Sequence, residues 1–172
     1  KQNKSKKYHY MHRVIYIMGV SGSGKTTTGK LLSQKKGIPF FDADDFHSQA
    51  NKEKMKAGIP LNDEDRKDWL YEINKLAIAQ SELKGAVIAC SALKEKYRDV
   101  LSKGLFEPAW IFLKGSYEEI YERMKKRSGH YMPAGLLMSQ FESLEIPSDT
   151  FSVDINKKPE EVVAIISEYL GL

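Results

Sequence analysis

"IYIMGVSGSGKTTTGK", residues 15–30, decides how the rest of the chain is read. An apolar run stops at Gly19, further glycines follow at Gly22 and Gly24, and Lys25, Thr26, Thr27 and Thr28 come next. Gly19, Gly24, Lys25 and Thr26 match the spacing G-x-x-x-x-G-K-[ST]. Glycines let the backbone curl so that consecutive N–H groups point at phosphate oxygens. The lysine of such a loop reaches the β- and γ-phosphates, and the threonine hydroxyl ligates Mg²⁺. The flanks agree. Ile15 and Ile17 alternate with Val14, Tyr16 and Met18 in a strand apolar on both faces, and 26–34 reads as a helix. A phosphate would sit on that helix's N-terminus, where unpaired N–H groups and the dipole favour an anion. Gly19, Val20, Ser21, Gly22, Ser23, Gly24, Lys25, Thr26 and Thr27 are therefore the nucleotide-binding candidates. The competing reading is an ordinary glycine-rich turn before Lys-Thr. At average glycine usage such a match arises by chance in roughly 1% of chains this long, before its strand and helix context is counted.

Outward from the loop, strands and helices alternate. "IPFFDAD" reads as a second strand, "AVIACS" as a third, "AWIFLKG" as a fourth and "TFSVDI" as a fifth. Helices are expected over 47–57, 63–83 (Trp69, Ile73, Leu76 and Leu83 at helical spacing), 93–101, 116–127 and from Pro159 onward. Ser116 and Glu119 have the spacing of a capping box. Strands separated by helices predict an α/β fold, a parallel sheet covered on both faces. Ligands of such sheets bind beyond the carboxyl ends of the strands.

Composition sets the outer limits. At 172 residues, 41% hydrophobic and 29% charged, the chain reads as one globular domain. No apolar run approaches the ~18 residues a membrane span needs, and the N-terminus lacks a signal-peptide core. The single cysteine, Cys90, cannot pair within the chain, which suits a reducing cytoplasm. The net charge of +4 equals the four lysines of the tail "KQNKSKKYHY" (Lys1, Lys4, Lys6 and Lys7). The body is therefore neutral, and no nucleic-acid partner is expected. Residues 1–12 read as a basic, disordered tail and 13–172 as the domain, with a lid about 127–140.

Several clusters follow strand ends. In "DADDFH", extended backbone would point Asp42 and Asp44 the same way. Near a triphosphate one carboxylate suits Mg²⁺ and the other suits proton removal from an attacking hydroxyl; the bland alternative is a helix cap. His47 follows, and Lys54 and Arg66 could face a cleft. Ser91 ends the third strand, and Lys94, Tyr97 and Arg98 are three and four apart, on one helical face. Arg123 and Arg127 are four apart before the glycine-containing segment 128–135. On a closing flap they could neutralise a transferring phosphoryl group and exclude water; the alternative is a basic helix end that complements its dipole.

Taken together, "MGVSGSGKTT", "DADDFH", "NKEKMKAGIPLNDEDRKDWL", "ACSALKEKYRD", "FLKGSYEEIYERMKKRSGHYM" and "QFESLEIP" resemble the gluconokinase family of small P-loop kinases, in that family's order and over nearly all of the chain from Val14 on. The resemblance implies transfer of phosphate from ATP, with Mg²⁺, to D-gluconate, giving 6-phosphogluconate. It implies a five-stranded parallel sheet of the nucleoside-monophosphate-kinase type with a lid, and a homodimer. By position, Lys25, Asp44, Arg123 and Arg127 would be catalytic, with Asp44 as base and the arginines in the lid. Thr26 and Asp42 would serve Mg²⁺. His47, Lys54, Arg66, Ser91, Lys94, Arg98 and His130 would contact the acceptor alongside Asp44.

Two other readings fit less well. Guanine-reading switches carry N-K-x-D, and the N-K pairs here are "NKEK", "NKLA" and "NKKP". Shikimate kinases share the D-x-D but carry a glycine triplet, and this chain has no adjacent glycines.

Overall fold

The computed structural model describes residues 12–127 and 133–172. Strand β1 (Val14–Met18) forms the middle of the molecule, and every one of its residues is buried. A strand covered on both faces has no polar side, which is why the sequence here is apolar without alternation. Its odd and even residues feed two different cores. Ile15 and Ile17 join a cluster with Leu32, Ile111, Ile120 and Ile166. Val14, Tyr16 and Met18 join another with Trp69, Ile73, Ile88 and Leu101.

The remaining strands are β2 (Phe40–Asp42), β3 (Ala86–Ala89), β4 (Ala109–Lys114) and β5 (Phe151–Asp154). Among the described residues they form one sheet, ordered β2-β3-β1-β4-β5. All neighbours run parallel: Ile15 aligns with Val87 on one side and with Ala109 on the other.

The helices are α1 (Lys25–Lys36), α2 (Gln49–Lys56), α3 (Asp63–Ser81), α4 (Glu95–Ser102), α5 (Tyr117–Lys126), α6 (Ala134–Ser143) and α7 (Pro159–Leu170). The chain leaves β1 through α1 on one face of the sheet, where Leu32 is buried. It leaves the adjacent β3 through α4 on the other face, where Tyr97 and Leu101 are buried. Neighbouring strands whose connections part in this way open a crevice at their carboxyl ends.

Three local differences from the sequence reading bear on function. Residues 43–46 form a short 3-10 helix, Ala43–Phe46, where extended backbone was expected. The following helix starts at Gln49 rather than at His47, because the Ser48 side chain accepts from Asn51 N–H and caps it. Helix α6 was not anticipated at all; it opens directly after Pro133 and buries Leu136 and Leu137. The capping box at Ser116 and Glu119 forms as the spacing predicts.

Candidate active site

The phosphate loop joins β1 to α1. Gly19, Gly22 and Gly24 take φ of 146°, 79° and 96°, values that L side chains rarely adopt. Space is short as well: a Cβ on Gly22 would stand 2.7 Å from Met124 Cγ. Lys25 folds back and donates from Nζ to the Val20 carbonyl at 2.9 Å. Burial lowers the Lys25 pKa, and the carboxylates of Asp44 and Asp42 only partly oppose it. The Ser23 hydroxyl is buried with no hydrogen-bond partner. A curled glycine loop, a desolvated lysine and an orphaned buried hydroxyl together fit a bound polyphosphate.

Across the crevice, Thr26 Oγ1 donates to Asp42 Oδ2 at 2.6 Å. The other Asp42 oxygen accepts from Asp44 N–H at 3.1 Å and so caps the 3-10 helix. One Asp42 oxygen therefore caps the 3-10 turn while the other holds the Thr26 hydroxyl. Among the described residues no cluster of three or more His, Cys, Asp or Glu could hold a metal alone. Mg²⁺ usually takes one or two carboxylates and completes its shell with phosphate oxygens and water.

Asp44 is brought to the crevice by the 3-10 turn rather than by strand alternation, which corrects the extended-backbone argument. Its side chain is 72% exposed. The protein packed beneath it still raises its carboxyl pKa, against the pull of Lys25 and with help from Asp42 and Asp45.

His47 is buried. Its ring stacks on Trp69 with centroids 4.3 Å apart, and its Nδ1 has no partner. Its Nε2 lies 3.9 Å from Asp44 Oδ1. Burial, then the charges of Arg66 and Lys52, push its pKa down to about 4, so the ring is neutral at pH 7. The folded protein thus binds fewer protons than the unfolded chain between pH 6.5 and about 4. Stability from this group is present above that window and is lost as pH falls through it. The loss is at most about 3 kcal/mol. Denaturant titrations at pH 7 and pH 4 should show His47→Gln losing less stability than the parent by up to that amount. Equal losses would mean that folding leaves the His47 pKa where it stands in the unfolded chain.

The basic residues of the acceptor side meet acidic partners from the start of α3. Lys54 Nζ lies 2.7 Å from Asp65 Oδ1, and Lys94 Nζ lies 3.4 Å from Asp63 Oδ1. Lys96 and the Tyr97 hydroxyl also donate to Asp63. These bonds, Lys96 first, hold the Asp63 carboxyl well below the usual carboxylate range. Arg66 donates to the Leu61 carbonyl, and its guanidinium lies 5.5 Å from the centre of the Tyr97 ring. Ser91 is half-buried at the end of β3, and its carbonyl accepts from Gly19 N–H at 3.4 Å.

Two expectations about this face need correction. Lys94 is the N-cap residue of α4, ahead of the helix rather than on its face. Arg98 parts from Lys94 and Tyr97: it is 9% exposed and donates to the carbonyls of Ala92 at 2.8 Å and Glu145 at 3.2 Å. A guanidinium committed to two backbone carbonyls serves the loop between β3 and α4 in this structure.

Arg123 and Arg127 line a cleft on the other side of the phosphate loop, together with Ser23, Gly24, Thr27 and Ile155. Arg123 donates to the Ile155 carbonyl. His130 and most of the segment 128–135 lie outside the described residues, as does the tail before His12. Sequence reasoning missed Asp63 and Asp65, the partners of the basic wall. Their position in "GIPLNDEDR" reads equally well as an acidic first turn of a helix.

A family model described as shikimate kinase matches residues 21–146. A probable gluconokinase of Dictyostelium discoideum is 44% identical over 171 residues, 91% of this chain and 86% of that protein. The thermoresistant gluconokinase of Escherichia coli (strain K12) is 42% identical, with 92% of this chain and 94% of that one covered. Among solved structures, a gluconokinase from Sinorhizobium meliloti 1021 superposes with a TM-score of 0.83 at 39% identity, covering 92% of this chain and 95% of the other. A shikimate kinase from Aquifex aeolicus gives 0.60 at 21% identity, a likeness of fold alone.

Proposed function

The chain belongs to the gluconokinase family of P-loop kinases, and from that membership we propose that it transfers the γ-phosphoryl group of ATP to the primary hydroxyl of D-gluconate, giving 6-phospho-D-gluconate and ADP. The observation that carries the reading is a phosphate loop whose Lys25 lies in the field of Asp44 and Asp42, with Thr26 bonded to Asp42.

Gluconate has a carboxylate at one end and a primary hydroxyl at the other, and the crevice offers a chemistry for each. Lys54, Arg66 and Lys94 attract the carboxylate. They exchange carboxylates rather than lose one, since Asp65 and Asp63 already hold the two lysines. His47, neutral and with a free Nδ1, can hydrogen-bond a sugar hydroxyl. At the other end Asp44 takes the proton of the primary hydroxyl. The oxygen attacks the γ-phosphorus, the bond to the β,γ-bridging oxygen breaks, and ADP leaves with that electron pair. Lys25 stabilises the charge that develops on the β- and γ-oxygens, and the loop amides hold them in line.

Thr26 and Asp42 would hold Mg²⁺, which neutralises phosphate oxygens when bound. Arg123 and Arg127 would close over the nucleotide from the cleft they line, as part of a lid about 127–140. A cytoplasmic homodimer with no nucleic-acid or membrane partner completes the reading. The neutral charge of the body is what speaks against a nucleic-acid partner; among the described residues no helix is long and apolar enough to cross a membrane.

The test is an ATP-coupled assay over sugar acids, shikimate and nucleoside monophosphates, run beside ATP hydrolysis without acceptor. Gluconate should give the highest kcat/KM, by at least about tenfold over shikimate, the discrimination expected where a buried polar group is left unpaired. Preference for shikimate or a nucleotide would reassign the acceptor, and hydrolysis unaffected by any acceptor would remove the kinase reading.

A further inference from the structure

The motif "QFESLEIP" has no part in the chemistry above, yet it touches both halves of the crevice. Gln140, on α6, accepts through Oε1 from the backbone N–H of Ser21 at 2.7 Å. Ser21 is a phosphate-loop residue 119 positions away. Five residues further on, Glu145 is fastened to the loop between β3 and α4 and to the first turn of α4 by three bonds. Its N–H donates to the Leu93 carbonyl at 2.8 Å. Its carboxylate accepts from Glu95 N–H at 2.6 Å. Its carbonyl accepts from Arg98 at 3.2 Å. Between these ends, Leu144 packs against both core clusters.

The acceptor-side loop needs such support. Ala92 has φ of 45°, a left-handed conformation that costs a non-glycine residue of order 1 kcal/mol or more. Arg98 holds its carbonyl at 2.8 Å, and Arg98 is in turn tied to Glu145. Without these bonds the loop carrying Ser91 and Lys94 is free to relax. Strained backbone that is over-determined by its surroundings is typical of loops that must hold one geometry.

We propose that residues 140–145 are a brace that sets the distance between the phosphate loop and the β3–α4 loop, with Gln140 and Glu145 as positioning residues at its two ends. Neither touches the reacting atoms. The inference rests on the kinase reading above, because its consequence is alignment of acceptor and phosphate. It also moves Arg98 from the acceptor contacts to the support of the loop.

Misplacing reacting groups by about 1 Å costs on the order of 10²-fold in rate, whereas ground-state binding is less demanding. Gln140→Met keeps volume and removes the acceptor oxygen. It should lower kcat by about tenfold or more, with the ATP KM changed less than about threefold. Glu145→Ala should behave alike. Because each variant releases the same brace, the double variant should be little worse than the poorer single one. Independent structural defects would instead multiply in kcat. Gln140→Ala, a good helix former, serves if Gln140→Met does not fold, and melting temperatures are measured for every variant. A kcat within twofold of the parent, a defect confined to the ATP KM, or multiplying effects would each overturn the brace. Failure of the parent protein itself to phosphorylate gluconate would be a failure of the kinase reading instead. Exchange of the Ser21 amide in the parent and in Gln140→Met still tests the brace in that event: faster exchange in the variant supports it, and unchanged exchange removes it.

Discussion

Lys25→Met is expected to lower kcat by about 10³-fold, the scale on which one preorganised donor to a developing charge acts, and to cost no stability. The two halves of this expectation come from the same fact. Lys25 sits where burial disfavours its charge, and Asp44 and Asp42 compensate only in part. An ammonium held under those conditions does not help the chain fold. Its folded pKa lies below 10.5, so the folded state binds fewer protons than the unfolded one over the window between the two values. The residue therefore works against folding at pH 7, and methionine in its place should leave the melting temperature equal or higher. On the proposed function the charge serves the phosphate instead. Nζ rests on the Val20 carbonyl, a weak neutral partner that a triphosphate would displace. Measuring turnover and thermal unfolding on the same preparation tests both halves. Near-normal turnover would remove the phosphate-loop assignment, and a large drop in melting temperature would show that the lysine is structural.

Asp44→Asn is expected to lower kcat by about 10²-fold or more, the contribution of a positioned general base, with little change in ATP affinity. The amide keeps the shape and loses the basicity. The carboxyl pKa of Asp44 is raised by the protein packed around it, so its basic form is lost at a higher pH than that of an ordinary aspartate. In the parent, kcat/KM should fall as pH drops through that raised value, and Asp44→Asn should lack this acid limb. Asp42→Asn should act differently. Asp42 already holds the Thr26 hydroxyl at 2.6 Å, so its loss should raise the Mg²⁺ concentration needed for half-maximal rate. Kinetics at varied Mg²⁺ and varied gluconate separate the two. If Asp44→Asn kept its kcat and only raised the Mg²⁺ requirement, the roles would be exchanged. If neither mattered, Asp42 would be a cap for the 3-10 turn and nothing more.

Much of the fold was legible because it is written in local patterns. The strand at 14–18 announces itself by being apolar on both faces. The loop after it announces itself by glycines that do take positive φ. Ser116 and Glu119 cap their helix as their spacing requires, since such a cap depends only on neighbours a turn away. Alternation of strand and helix led to the parallel sheet, because a parallel neighbour demands a crossover.

What local pattern could not carry is the work of contacts distant along the chain. Asp42 meets Thr26 across 16 residues, and that meeting turned a plausible cap into a cap and a hydroxyl acceptor at once. Helix α6 went unread because its apolar residues cover only a short stretch. Leu136 and Leu137 become core only when the sheet and α5 are there to receive them. Arg98 had the right spacing for the acceptor face. It turned to Ala92 and Glu145 because a buried guanidinium takes the carbonyls within its reach, and one of these lies 47 positions away. His47 is neutral because Trp69 and the rest of its burial desolvate it. Gln140 reaches Ser21 only after the whole sheet has formed between them. Local pattern was enough for the strands, the phosphate loop and the residue types of the site. Tertiary structure decided which side chains share a partner, because that depends on distances that exist only once the two cores have closed on β1.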